Sequence, residues 1–281
     1  MGTYRDTNEE DLVAEVKGRR LFELDIERLG KLTGMVAVLH GPSLDDGVCM
    51  EMVYAYAVGV PVVVMTSDFQ TYSLTADGPR FDFPDPLVQA AATSLIRVAR
   101  LAGEPPVDTP KTRFKIFADR NDSQVGRALD ATAESLFDLL AQRPATASLR
   151  DGAGLFAFVE QSPYLAGQGD VVALVQGAGY TVRTPARFVD SDPVAAARHD
   201  LAKALASDVL VADVSGPETP PGAALLIGAA VARRTRIAAY QPRPGFTHAD
   251  GREPNWRNLM IQYAVSAHLT DSAALDDWLR S

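Results

Sequence analysis

One stretch limits what this chain can fold into more than any other. An apolar run, Met35-Val-Ala-Val-Leu39, leads into Gly41-Pro-Ser-Leu-Asp-Asp-Gly47. A helix-compatible segment follows to Gly59, and then a second apolar run, Val60 to Met65. Strand, acidic glycine-containing loop, helix and strand, in that order, make an α/β unit. A helix opening near Gly47 carries Glu51 in its first turns. Open parallel sheets bind ligands outside the carboxyl ends of their strands. Asp45, Asp46 and Glu51 are therefore expected to converge where a substrate sits.

The same alternation extends along the chain. Glu9 to Lys31 reads as a helix, and Ser67 to Pro84 as a loop. Asp85 to Ala102 reads as a helix, followed by a proline-rich linker, GEPPVDTPKT. Arg113 to Phe117 reads as a short strand and Gln124 to Gln142 as an amphipathic helix; Pro144 to Gly154 is polar. Four strands are expected in the second half, at Leu155–Val159, Tyr180–Arg183, Val209–Val214 and Arg236–Tyr240. Helices are expected between them at Asp170–Gln176, Pro193–Ala206 and Gly222–Arg233. This pattern predicts doubly wound parallel sheets of the flavodoxin or Rossmann kind.

The halves repeat. At a constant offset of 175 residues, Asp25 pairs with Asp200, Gly41-Pro42 with Gly216-Pro217, and Gly47 with Gly222. At an offset of 173, Asp85-Pro-Leu-Val-Gln89 pairs with Asn258-Leu-Met-Ile-Gln262. The expectation is a tandem duplication, residues 1–145 and 146–281, folded as a pseudo-dimer. The copies differ at the acidic loop: Asp45, Asp46 and Glu51 face Pro220, Pro221 and Leu226. A leucine is neither acid, base nor nucleophile, so one active site per chain is expected. The first half is short of one strand–helix–strand unit before Asp25, and the segment 113–142 is the candidate to fill that gap by circular permutation.

Composition narrows the partners. A net charge of −9 argues against a nucleic-acid backbone, whose phosphates need clustered Lys and Arg. Cys49 is the single cysteine; it excludes an internal disulfide, fits a reducing cytoplasm and reads as a small core residue. No apolar run approaches about 20 residues, so no membrane span is expected, and the acidic start does not read as a signal peptide. His40, His199, His248 and His268 are scattered and form no metal-ligand spacing. With no phosphate loop and no Gly-x-Gly-x-x-Gly run, no cofactor is expected.

At the acidic loop the chain resembles the nucleoside 2-deoxyribosyltransferase family. That family carries a pattern close to D-D-G-T-x-x-E-x-G-Y-A between two strands. Here it reads Asp45-Asp46-Gly47-Val48-Cys49-Met50-Glu51-Met52-Val53-Tyr54-Ala55. Val48 and Val53 replace the usual Thr and Gly. The resemblance implies that Glu51 is the nucleophile, that Asp25 is a second catalytic carboxylate, and that Asp45 helps hold the sugar. The family's Asn-Leu-Met-like segment, which reaches into a neighbouring subunit's site, appears as Asn258-Leu259-Met260. The implied site is composite, with Glu51, Asp25 and Asp45 from one half and Asn258 and Met260 from the other.

The chemistry fits these residue types. Breaking an N-glycosidic bond builds oxocarbenium character, which a carboxylate stabilises and then traps covalently. Tyr54 or a backbone N–H is a candidate donor to keep Glu51 ionised, and Asp25 is a candidate acid for the leaving base. Asn258 is placed to bridge the glutamate or a sugar hydroxyl, and Met260 to pack on sugar or base. Each residue has a plainer role beside this one: Asp45 and Asp46 as helix caps, Asp25 as partner of Arg28, Tyr54 as packing, Asn258 as a turn residue. Arg252 to Arg257 forms either a cover or a surface turn. The expected substrates are a nucleoside and a free nucleobase, with a homo-oligomer left open. Hydrolysis of a nucleoside or its monophosphate, and nucleoside binding without turnover, are the alternatives.

Overall fold

The computed structural model describes residues 14–41, 44–68, 70–98, 110–142, 154–161, 169–216, 218–242 and 258–281. The proline-rich residues 103–109, the polar stretch 143–153 and the loop Arg252–Arg257 lie outside them. Among the described residues no helix is long and apolar enough to cross a membrane.

Among the described residues the fold is α/β, with two all-parallel sheets. The first half contributes α1 (Ala14–Leu29), β1 (Met35–Val38), α2 (Asp46–Ala57), β2 (Val62–Thr66), α3 (Leu87–Ala91), β3 (Ser94–Arg97) and α4 (Pro110–Gln142). Its strands form a three-stranded sheet in the order β1-β2-β3. The second half contributes β4 (Phe156–Glu160), α5 (Gly169–Gly177), β5 (Thr181–Arg183), α6 (Pro193–Leu205) and β6 (Val209–Asp213). It continues with α7 (Pro221–Arg233), β7 (Arg236–Tyr240), α8 (Leu259–Ala264), β8 (Ala267–Leu269) and α9 (Ser272–Arg280). Its sheet runs β5-β4-β6-β7-β8, the flavodoxin-like order, which reverses between β4 and β6.

The second-half expectations hold to within a residue or two at most ends. Two first-half expectations do not. Asp85 to Ala102 is not one helix: α3 stops at Ala91 and β3 follows. Thr93 explains the break. Its hydroxyl accepts from the Val62 N–H at 3.0 Å, and its own N–H donates to Val62 O at 2.8 Å, which starts the β2–β3 pairing. Arg113 to Phe117 is not a strand but the start of the 33-residue α4. Pro110 supplies a helix-compatible φ and lacks an N–H that would go unbonded in the first turn. Phe114 is 77% exposed, so the apolar alternation there does not mark a buried strand. The proposed permutation fails with that strand. Instead α4 covers one face of the first sheet: the Ser135 hydroxyl donates to Ser94 Oγ at 2.8 Å, and Leu136 lies over Gly34.

The helices between the two sheets hold the main core. One apolar cluster joins Ala37, Leu39, Val62 and Val64 of the first sheet to Leu210, Ala212, Ile237 and Ala239 of the second. Between them α2 packs on α7, α1 on α8, and α3 on α6. Helix α7 is buried along Gly222 to Ala230, as a helix enclosed on all sides must be. A Cβ on Gly228 would stand 2.0 Å from the Met50 carbonyl oxygen, so only glycine permits this approach of α7 to α2. A second cluster, on the far face of the five-stranded sheet, packs Val209, Val211 and Ala238 against Val171 and Val175 of α5 and Leu275 and Leu279 of α9.

Candidate functional site

The acidic loop ends in a capped helix. Asp45 is the N-cap of α2, its carboxylate accepting from the Val48 N–H at 2.8 Å. This satisfies one of the donors every helix start leaves open. The cap fixes the direction of the first two turns, which carry Asp46 and Glu51 on an otherwise apolar helix.

Glu51 is half-buried, and its pKa is raised to about 7. Burial is the main cause, followed by repulsion from Asp25 on α1 and from Asp45. Asp25, Asp45 and Glu51 thus form one electrostatic group drawn from two helices and a loop. Asp25 also pairs with Arg28 at 3.1 Å, and its side chain is about a third exposed.

Asp46 faces elsewhere. Its carboxylate accepts from the Asn258 amide at 2.6 Å. Its pKa is raised to about 6, by burial first and by Asp45 second. Asn258 is also the N-cap of α8, with Oδ1 accepting from the Met260 N–H at 2.9 Å. One amide therefore ties the start of α8 to the start of α2. The fit is close: a Cβ on Gly47 would stand 3.5 Å from Asn258 Nδ2 and 3.2 Å from Asp45 Oδ1.

The remaining expected site residues pack. Met260 is 6% exposed and belongs to the core shared by both halves. Tyr54 packs against that core, and its hydroxyl lies 4.0 Å from where a Cβ on Gly30 would be. Burial and the nearby Asp46 push the Cys49 thiol well above its usual pKa. Among the described residues no group of three or more His, Cys, Asp or Glu is arranged to hold a metal ion.

The structure also reveals a constellation that sequence reasoning missed. Arg187, fully buried, sits among three carboxylates. Nε and one terminal nitrogen donate to Asp85 at 2.9 and 2.8 Å. Both terminal nitrogens donate to Glu160, at 3.1 and 2.5 Å. Asp200 lies 3.5 Å away and accepts the backbone N–H groups of Ala186 and Arg187, each at 3.0 Å. Burial alone would lower the arginine's pKa, but Asp85 and Glu160 hold it raised. Glu160 is pushed up by its burial, against the pull of Arg187. The guanidinium lies against Gly222, where a Cβ would be 2.3 Å from it. Gly222, Asp200 and Asp85 are the offset partners of Gly47, Asp25 and Asn258, a signal already in the sequence; nothing in the sequence marks Arg187 or Glu160. Compared with known proteins, the chain matches no protein-family model and no curated sequence.

Proposed function

We propose that the chain cleaves the N-glycosidic bond of a nucleoside, preferably a 2′-deoxynucleoside, through Glu51 and transfers the sugar to another base. The observation that carries this reading is the grouping of Glu51, on a capped helix, with Asp25 of α1 and the capping Asp45, while Asn258 from the other half bonds the adjoining Asp46. In the first step Glu51 Oε attacks C1′ as the bond from C1′ to the base nitrogen breaks; the leaving base takes a proton from solvent, and the Asp25 carboxylate adds negative charge beside the developing oxocarbenium ion. In the second step a base nitrogen, or water, attacks C1′ and frees Glu51. A pKa near 7 leaves the free protein with a partly protonated nucleophile. Positive charge developing on the sugar favours the ionised form, so the site is matched to the transition state.

The second half serves as scaffold. Where the first half has Asp45, Asp46 and Glu51, the second has Pro220, Pro221 and a fully buried Leu226, and Arg187 fills the space over Gly222. A duplication is supported by register. Met35 pairs with Val62 as Leu210 pairs with Ile237, and Val64 pairs with Leu95 as Ala239 pairs with His268. Positive φ recurs at Gly41 and Gly216, and at Gly59 and Arg234. The packing of α1 on α8 and of α3 on α6 is the reciprocal exchange a two-fold would give.

Hydrolysis is the second reading. Among the described residues β1 lacks the neighbour that β4 provides to β6, so fewer walls surround an acceptor base there. Mass spectrometry of protein quenched during incubation with a 2′-deoxynucleoside tests the shared first step. A deoxyribosyl adduct on the peptide containing Glu51 is expected; base release with unmodified protein would contradict the covalent route.

A further inference from the structure

A separate cavity of about 220 Å³ opens over the Arg187 cluster. It lies at the carboxyl end of β4, beside the point where the order of the five-stranded sheet reverses, the place where open α/β sheets take ligands. Asp85 and Glu160 line it, at 4% and 3% exposure. Tyr72, Phe81 and Phe188 supply aromatic walls, and Pro84, Pro220 and Pro221 supply apolar ones. Among the described residues no lysine, arginine or histidine lines it. The walls are pre-formed: Tyr72 and Phe81 exchange backbone hydrogen bonds at 2.8 and 2.9 Å, and their rings stack at 6.4 Å.

Charge decides what such a cavity takes. Three buried carboxylates meet one guanidinium, so ionised the cluster is short of positive charge. A buried negative excess calls for a proton or a cation. Phe188 already carries the Arg187 guanidinium 4.2 Å from its ring centroid; the rings of Tyr72 and Phe81 add two more aromatic walls that favour a cation. The volume is below the roughly 300 Å³ at which drug-sized pockets begin, so the occupant is no larger than one substituted ring.

We propose that this cavity binds a small organic cation, a ring-bearing ammonium or amidinium, with its N–H groups on Glu160 and Asp85 and its ring between Tyr72, Phe81 and Phe188. The site is separate from Glu51 and needs no nucleoside turnover. Titration calorimetry of the full chain at pH 8 and low salt, with benzylammonium as probe and benzyl alcohol as its neutral counterpart, tests it. Saturable binding of benzylammonium at about 1 mM or tighter is expected, with benzyl alcohol at least about tenfold weaker. Ser73→Phe fills the cavity without touching the buried ions and should weaken binding at least about tenfold. Ser73→Ala, which loses the same hydroxyl bond to the Thr75 carbonyl at 2.7 Å but leaves the cavity open, should bind as the unaltered chain does. Glu160→Gln should weaken it as well, and Glu51→Ala should leave it unchanged. No saturation up to about 20 mM, equal binding of benzyl alcohol, or full binding by Ser73→Phe would each overturn the proposal.

Discussion

The Asn258 amide donates to the Asp46 carboxylate at 2.6 Å, joining residues 212 apart in the chain. Its offset partner, Asp85, makes the reverse connection from the first half to Arg187 in the second at 2.8 Å. One exchange ends beside the ionisable group on α2, the other in a buried salt-bridged plug. This asymmetry separates a reactive site from a structural one in the account proposed here.

Asn258→Ala should lower stability by about 2 kcal/mol, read by urea denaturation. It removes both a hydrogen bond to a charged group and the cap of α8. Asn258→Ser keeps a capping oxygen and should recover about half of that loss. Equal stability of the two variants would mean that the cap contributes nothing, and full recovery by Ser would mean that the bond to Asp46 contributes nothing.

Glu51 sets a pH dependence whose sign is opposite to that of a salt-bridged carboxylate. Its folded pKa, about 7, lies above the ordinary 4.5, so the folded state holds the proton more tightly. Stability contributed by this group is present below pH 4.5 and lost as pH rises toward 7. With partial exposure taken into account, Glu51→Gln should raise stability at pH 8 by about 1–2 kcal/mol and change little at pH 4. Denaturation of both proteins at the two pH values checks it. In the catalytic account, kcat/KM rises with pH through a limb near 7 as Glu51 ionises.

Arg187→Met should unfold the protein or cost about 3–5 kcal/mol, because it strands three carboxylates without their cation. Arg187→Lys should rescue little, since an ammonium cannot match the paired bonds to both Asp85 and Glu160. Native-like melting of either variant would contradict the assignment of this cluster as a lock between halves.

Gly228→Ala should destabilise by more than about 2 kcal/mol, since its Cβ would stand 2.0 Å from the Met50 carbonyl oxygen in the α2–α7 contact. Gly126→Ala, on α4 with nothing within 4 Å, should stabilise by about 0.5–1 kcal/mol. Thermal melts of the pair compare a close helix approach with an open helix position.

What the sequence made legible follows from burial. Strands β2, β4, β6 and β7 are buried on both faces or nearly so, and they read as continuous apolar runs. β1 reads the same way although Val36 and Val38 on one of its faces are exposed. Asp45 announces a helix start because its short polar side chain caps it; α8, β8 and α9, which follow Asn258, have no counterpart among the expected elements. The α3–β3 boundary is hidden because Leu87 to Ala102 is rich in Leu, Val and Ala and has no glycine or proline to break it. The start of α4 was misread because Phe114, Ile116 and Phe117 imitate a strand in a helix that leaves Phe114 exposed. Arg187 gave no signal at all: a buried arginine is recognisable only once its carboxylates, 13 to 102 residues away, are brought to it.

The central claim is that Glu51 is the nucleophile of a glycosyl transfer. Its most direct measurement is chromatography of the purified chain incubated with 2′-deoxynucleosides and a second free base, beside Glu51→Ala. The account predicts a new nucleoside from the unaltered chain and none from the variant. Free base and sugar alone would replace transfer with hydrolysis. Equal product from both proteins, or no reaction of any nucleoside in the panel, would contradict the claim.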